Sequence, residues 1–184
     1  MKKTILFIVL GIALTNGVFA QRYLTKTGSV SFFSKAPLEN LEAHNSQVNS
    51  ALDLKTGDFV FKVLMKSFEF EKALMQEHFN ENYVESDKYP NATFKGKVVN
   101  IGQLDLTKNG SYNAEVEGDL TIHGITRPVK ETGTFEVKDG KVNGKSKFTI
   151  LLADYNISVP APVVDNIAKE IEITVDVMLE KVAE

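Results

Sequence analysis

The chain has 184 residues, 43% hydrophobic and 24% charged, and its 21 basic against 24 acidic side chains leave a formal charge of −3. That length suits one globular domain, and the absence of cysteine excludes disulfide frameworks, thiolate metal centres and cysteine nucleophiles. A mildly acidic chain without a dense run of Lys or Arg also argues against nucleic-acid binding, because counterion release needs clustered cations facing the phosphates.

In chain order, Lys2 and Lys3 precede an apolar run from Ile5 to Leu14, and Val18-Phe19-Ala20 supplies the small-residue pattern of a processing site. Residues 1–20 read as a secretory signal peptide, with cleavage expected after Ala20 and a single β-barrel domain over 21–184. The run is too short for a stable span, which needs about 20 apolar residues. The mature protein is therefore expected in the periplasm or secreted, without an integral membrane span. Losing Lys2 and Lys3 and no acid moves its formal charge from −3 to −5.

Gln21–Thr27 and Ser29–Ser34 read as a strand pair, Ala43–Leu54 as a polar extended stretch, and Asp58–Lys66 as a strand turning Phe59, Phe61, Val63 and Met65 inward. Glu71–Asn82 has helical composition, with Ala73, Leu74, Met75, His78 and Phe79 on one side. Ala92–Ile101 is another strand, whose alternation breaks at Val98, Val99 and Ile101. Asn109-Gly110, His123-Gly124 and Asp139-Gly140 are tight-hairpin dipeptides. Among them lie strands whose covered faces carry Tyr112, Ala114, Val116, Gly118, Leu120 and Ile122; then Val129, Gly133, Phe135 and Val137; then Val142, Gly144, Ser146, Phe148, Ile150 and Leu152. A short helix over Val163–Lys169 follows Pro160 and Pro162, which disfavour a central strand there. The last strand alternates Ile171, Ile173, Val175, Val177 and Leu179 with acidic residues and Thr174.

Antiparallel strands joined mostly by tight turns hide their edges most simply by closing into a barrel. The expected fold is all-β: an extended eight-stranded, up-and-down antiparallel barrel with one or two short helices. Ala114, Gly118, Gly133, Gly144 and Ser146 on the covered face leave volume unfilled, which predicts an elongated apolar cavity. The other reading of these small residues is that they relieve bends or admit the helices.

Catalytic and metal-binding patterns are missing. GKVNGKS at Gly140–Ser146 lacks the phosphate-loop spacing, and His44, His78 and His123 lie in three unrelated segments. His123 suits the first position of a type I′ turn. Glu131 is the one acid expected to point inward, with Arg127 the nearest base on its face; the pair either anchors a ligand head group or closes the barrel end.

The segments ESDKYPNATFKG, Glu85–Gly96, and GDLTIHGITRPV, Gly118–Val129, resemble the YceI-like family of exported lipid- or polyisoprenoid-binding proteins. The resemblance spans nearly the whole mature chain. It implies a lipocalin-like barrel that encloses a long isoprenoid chain and has no catalytic residues. The N-terminal third, with SFFSKAPLENLEAHNS, departs from the usual family pattern, and KALMQEHFNEN is a less charged variant of the family's helical segment.

Residues and resemblance together predict a protein that carries or stores a long apolar small molecule, with no catalytic residues, no metal and no cofactor beyond the lipid itself. The expected ligand wall is Phe32, Phe59, Phe61, Phe94, Tyr112, Val116, Leu120, Phe135, Phe148, Ile150, Ile173 and Val175. Two rival readings are an enzyme on a hydrophobic substrate using Glu131 or His123, and a structural or stress-related module with a filled core. A homodimer is compatible with the sequence.

Overall fold

The computed structural model describes residues 22–182, so the expected signal peptide lies outside the described residues. The strands are β1 (Arg22–Lys35), β2 (Asn40–Asp53), β3 (Asp58–Leu64), β4 (Glu69–Phe70), β5 (Asn91–Val98), β6 (Gly110–Ile122), β7 (Ile125–Lys138), β8 (Lys141–Leu151) and β9 (Glu170–Lys181). Each pairs antiparallel with its neighbours, and β1 pairs with both β2 and β9, which closes the sheet. The two-residue β4 only extends β2, so eight strands form the ring. Closure removes the exposed edges. Among the described residues no helix is long and apolar enough to cross a membrane.

Two hairpins follow their turn residues. His123 and Gly124 have φ of 51° and 74°, and Asp139 and Gly140 have 52° and 79°, the left-handed pairs of type I′ turns. Asn109-Gly110 is not a hairpin turn: Gly110 opens β6, and the Asn109 side chain instead accepts a bond from the Asp139 amide at 3.0 Å. The expected strand pair at 21–34 is one strand, β1, irregular between Thr25 and Val30. The bulge shifts the side-chain phase, which made one strand resemble two. Polar β2 is a full barrel strand because its buried Asn45 is satisfied, donating to the Leu64 carbonyl at 2.9 Å and accepting from the Gln47 amide at 2.8 Å.

The one α-helix among the described residues, α1 (Ala73–His78), is shorter than the composition suggests and continues into a wider turn over Phe79–Tyr83. No helix covers 163–169; a single 3₁₀ turn, Ala161–Val163, stands there. The strands share two ends. At one, Tyr23, Leu52, Phe59, Val98, Leu106, Val137, Val142 and Leu179 close the tube as a dry core. At the other lie α1, the Met65–Ser67 turn, the Leu152–Tyr155 turn and the 161–168 segment.

Candidate functional site

Between these ends the barrel is hollow, with a cavity of about 410 Å³. That lies within the range of roughly 300–1,000 Å³ usual for small-molecule sites. Strand alternation aims one side chain in two at this space, and the tube is too wide there for opposite walls to meet. Phe61, Phe94, Val116, Leu120, Phe148, Ile150, Ile173 and Val175 consequently point inward yet are only half-buried.

Of the residues expected on the wall, Phe32, Phe59, Phe61, Phe94, Val116, Leu120, Phe135, Phe148, Ile150, Ile173 and Val175 line the cavity. Tyr112 does not. It is on the same face, but farther down β6, opposite Phe135 and two pairs from Val137, and its hydroxyl donates to the Lys108 carbonyl at 3.1 Å. It belongs to the closed end.

The small inward residues divide in the same way. Ala114, Gly133, Gly144 and Ser146 border the lumen, but Gly118 does not. A Cβ on Gly118 would lie 2.4 Å from the Cα of its partner Gly96 and 2.8 Å from Phe94 Cζ, so the Phe94 ring already occupies that room.

The capping segments supply lining that strand alternation did not reveal. Phe68, Phe70 and Phe79 surround Phe32, with ring centroids 5.3, 5.8 and 5.5 Å from it, and all four reach the cavity. Met75 and His78 of α1 join them. The helical composition of this segment was visible; which of its side chains would turn inward depended on where the barrel mouth stood.

One seam of the barrel is incomplete. β6–β7 and β8–β9 are laddered along their length, whereas β7–β8 pairs only from Gly133–Ser146 to Lys138–Lys141. Toward the open end the two strands part. The Leu152–Tyr155 turn is pinned across the parting: Arg127 Nε donates to the Asp154 carbonyl at 2.9 Å, and His123 Nδ1 donates to the Tyr155 carbonyl at 3.1 Å. The expected Arg127–Glu131 pair is therefore not formed, because the guanidinium turns outward to this backbone carbonyl. Glu131 does face the lumen, and burial pushes its carboxyl pKa above the ordinary value.

His123 joins the two sequence segments that carry the family resemblance. Its Nε2 is 2.7 Å from Glu85 Oε2, and its ring meets Tyr89 edge-on at 4.8 Å. Tyr89 lies against Gly124, where a Cβ would come within 2.5 Å of the ring. Both imidazole nitrogens are engaged in this clasp, and His123 is not part of the lumen wall.

The family model of the YceI-like domain matches residues 20–179. Curated relatives described as UPF0312 proteins are 34% identical: over 91 residues in Pseudomonas syringae pv. tomato, 45% of this chain and 43% of the relative, and over 85 residues in Pseudomonas putida, 43% and 41%. The chain thus spans less than half the length of the curated relatives it matches. Among solved structures, it resembles a polyisoprenoid binding domain from Saccharophagus degradans implicated in plant cell wall breakdown, with a TM-score of 0.77 at 12% identity over 89% of this chain and 100% of that one. It also resembles BcnA of Burkholderia cenocepacia, with a TM-score of 0.65 at 17% identity over 83% and 95% of the two chains. At such identities the likeness shows the fold.

Proposed function

The chain belongs to the YceI-like family, and from that premise we propose that it is an exported binding protein that holds a long apolar ligand in its lumen. The ligand class is an isoprenoid quinone, a polyprenol or a fatty acyl lipid, carried or stored outside the cytoplasm. The observation that carries this reading is the hollow itself, a cavity of about 410 Å³ walled by aromatic and branched side chains that remain half-buried. Covering apolar surface gains about 25 cal/mol per Å², so such a wall needs a chain of matching shape and little else for affinity.

A binding role is favoured over catalysis by the state of the two candidate acid–base groups. His123 is committed to Tyr155 and Glu85, and Glu131 makes no hydrogen bond or ion pair to a second polar group among the described residues. The similarity to the S. degradans polyisoprenoid binding domain points the same way. The chain's signal-peptide-like start supports export.

Native mass spectrometry of protein recovered from the exported fraction tests the proposal. The expected result is an apolar adduct, or uptake of an added isoprenoid quinone, on a chain beginning at Gln21. Protein that carries no adduct and takes up no quinone overturns the binding reading; recovery only from the cytoplasm overturns export.

A further inference from the structure

Several polar groups of the lumen wall have partners within the protein. The Ser34 hydroxyl accepts from the Ala168 amide at 2.9 Å, the Ser146 hydroxyl donates to the Thr132 carbonyl at 2.7 Å, and Lys145 donates to Glu136 at 2.9 Å. Glu39, at the mouth, takes bonds from Lys72 and Asn166. Glu131 is the wall carboxyl without such a partner among the described residues. It points inward from the middle of β7, opposite Val116 and between Val129 and Gly133, and no hydrogen bond or ion pair reaches its carboxyl among the described residues.

Its setting leaves few candidates for a partner. The cation on its own strand, Arg127, is held by Asp154, and Lys145 across the seam is held outside by Glu136. Glu131 stands two residues beyond the Gly133–Ser146 rung, where β7 and β8 begin to part. A carboxyl half-buried among apolar atoms loses part of its water without recovering those bonds, a cost that core packing alone gives no reason to keep. The space in front of it is the ligand cavity.

Resting on the binding reading above, we propose that Glu131 is a specificity-determining residue: it meets an uncharged hydrogen-bonding group of the lipid, a hydroxyl, carbonyl or amide, and turns away chains whose buried end is anionic. A protonated carboxyl both donates and accepts, so it serves a hydroxyl or a carbonyl; an ionised one still accepts from a hydroxyl or an amide N–H. A carboxylate or phosphate at that depth instead meets a carboxyl in a largely apolar wall, with Lys145 paired to Glu136 and the Arg127 guanidinium turned to the Asp154 carbonyl. An ammonium group is disfavoured as well, because an ion pair buried there gains too few additional hydrogen bonds to replace its hydration.

The test is displacement of the neutral dye diphenylhexatriene from the mature chain by 1-hexadecanol and by hexadecanoate, in the wild type, Glu131→Gln and Glu131→Leu. The wild type is expected to prefer the alcohol by about tenfold, a 1.4 kcal/mol difference. In Glu131→Leu that ratio falls to about threefold or less, by weaker alcohol binding and stronger acid binding. Glu131→Gln, close in volume and able to donate and accept, keeps alcohol affinity while admitting the acid, which separates the carboxyl's role from a packing change. An alcohol-to-acid ratio that is the same in all three proteins overturns the assignment while leaving the binding reading intact. A wild type that takes up no dye overturns the binding reading and this one with it.

Discussion

At the closed end Val142 and Leu179 are fully buried, whereas farther along the same strands Phe148, Ile150, Ile173 and Val175 are half-buried around empty space. The alternation in β8 and β9 is identical in both regions, so the strands themselves do not make the difference. What differs is how far the side chains around each height fill the tube. At the closed end Tyr23 and Leu106 fill the axis, and Asp105, bonded to Thr107 and Lys108, holds the loop that carries Leu106. At mid-height Ala114, Gly133, Gly144 and Ser146 are too short to cross it. A β-barrel thus becomes core or container according to the volume facing each inward position, with no change in local pattern.

Truncation separates the two regions most strongly. Leu179→Ala should lower unfolding free energy by about 3 kcal/mol, since it opens a new void in dry packing, while Ile173→Ala should cost about 1 kcal/mol because its neighbour is already a cavity. Urea denaturation of both variants checks this, and equal losses would mean that the lumen is as tightly packed as the end.

The clasp at the open end comes next. His123→Ala removes the contacts to Tyr155, Glu85 and Tyr89 together and should cost about 1–2 kcal/mol. Hydrogen exchange should then accelerate over 152–157, where the turn bridges the seam, and stay unchanged at Val142 and Leu179. Faster exchange at both ends would make the two regions one cooperative unit.

Glu131→Leu should work in the opposite direction and stabilise the protein by up to about 1 kcal/mol at pH 8, a figure kept small because the lumen is open to solvent. The sign follows from the raised native pKa: the folded state holds this proton more tightly than the unfolded one, so the wild type loses stability as pH rises from near 4.5 through the native value. Tyr155, which feels the charges of Asp154, Arg127 and Glu131, adds its own raised pKa, with burial the main cause. The gain from Glu131→Leu should disappear below about pH 4, which thermal melts across pH would show.

The smallest effect is expected at the closed-end loop. Lys108 and the Thr107 hydroxyl pull the Asp105 carboxyl pKa down to about 2, so its contribution is present above the unfolded value of 3.8 and is lost as pH falls through the native one. Asp105→Asn should lower the melting temperature slightly at pH 7 and leave it unchanged near pH 2; both groups are solvent-exposed.

Strand existence was readable because period-two alternation is enforced wherever one face is wet and the other covered. The two type I′ hairpins were readable because few residue types accept their positive φ. Asn109-Gly110 misled, since the same dipeptide can open a strand when its Asn side chain pins a neighbouring hairpin. The helix at 163–169 failed because a short run after two prolines has no buried face to stabilise it. Tyr112 was placed by its face alone, and a face does not reveal depth along the barrel axis.

By itself the sequence determined which side chains point inward, the reversals at His123-Gly124 and Asp139-Gly140, and that two motifs resemble the YceI-like family. Only the tertiary structure decided how far the inward side chains reach, that Glu85 and Tyr89 close onto His123, and that Arg127 leaves Glu131 alone in the lumen. Direction is a local property, fixed by the backbone within two residues. Filling and pairing depend on atoms that approach from distant parts of the chain, and those distances exist only once the barrel has closed.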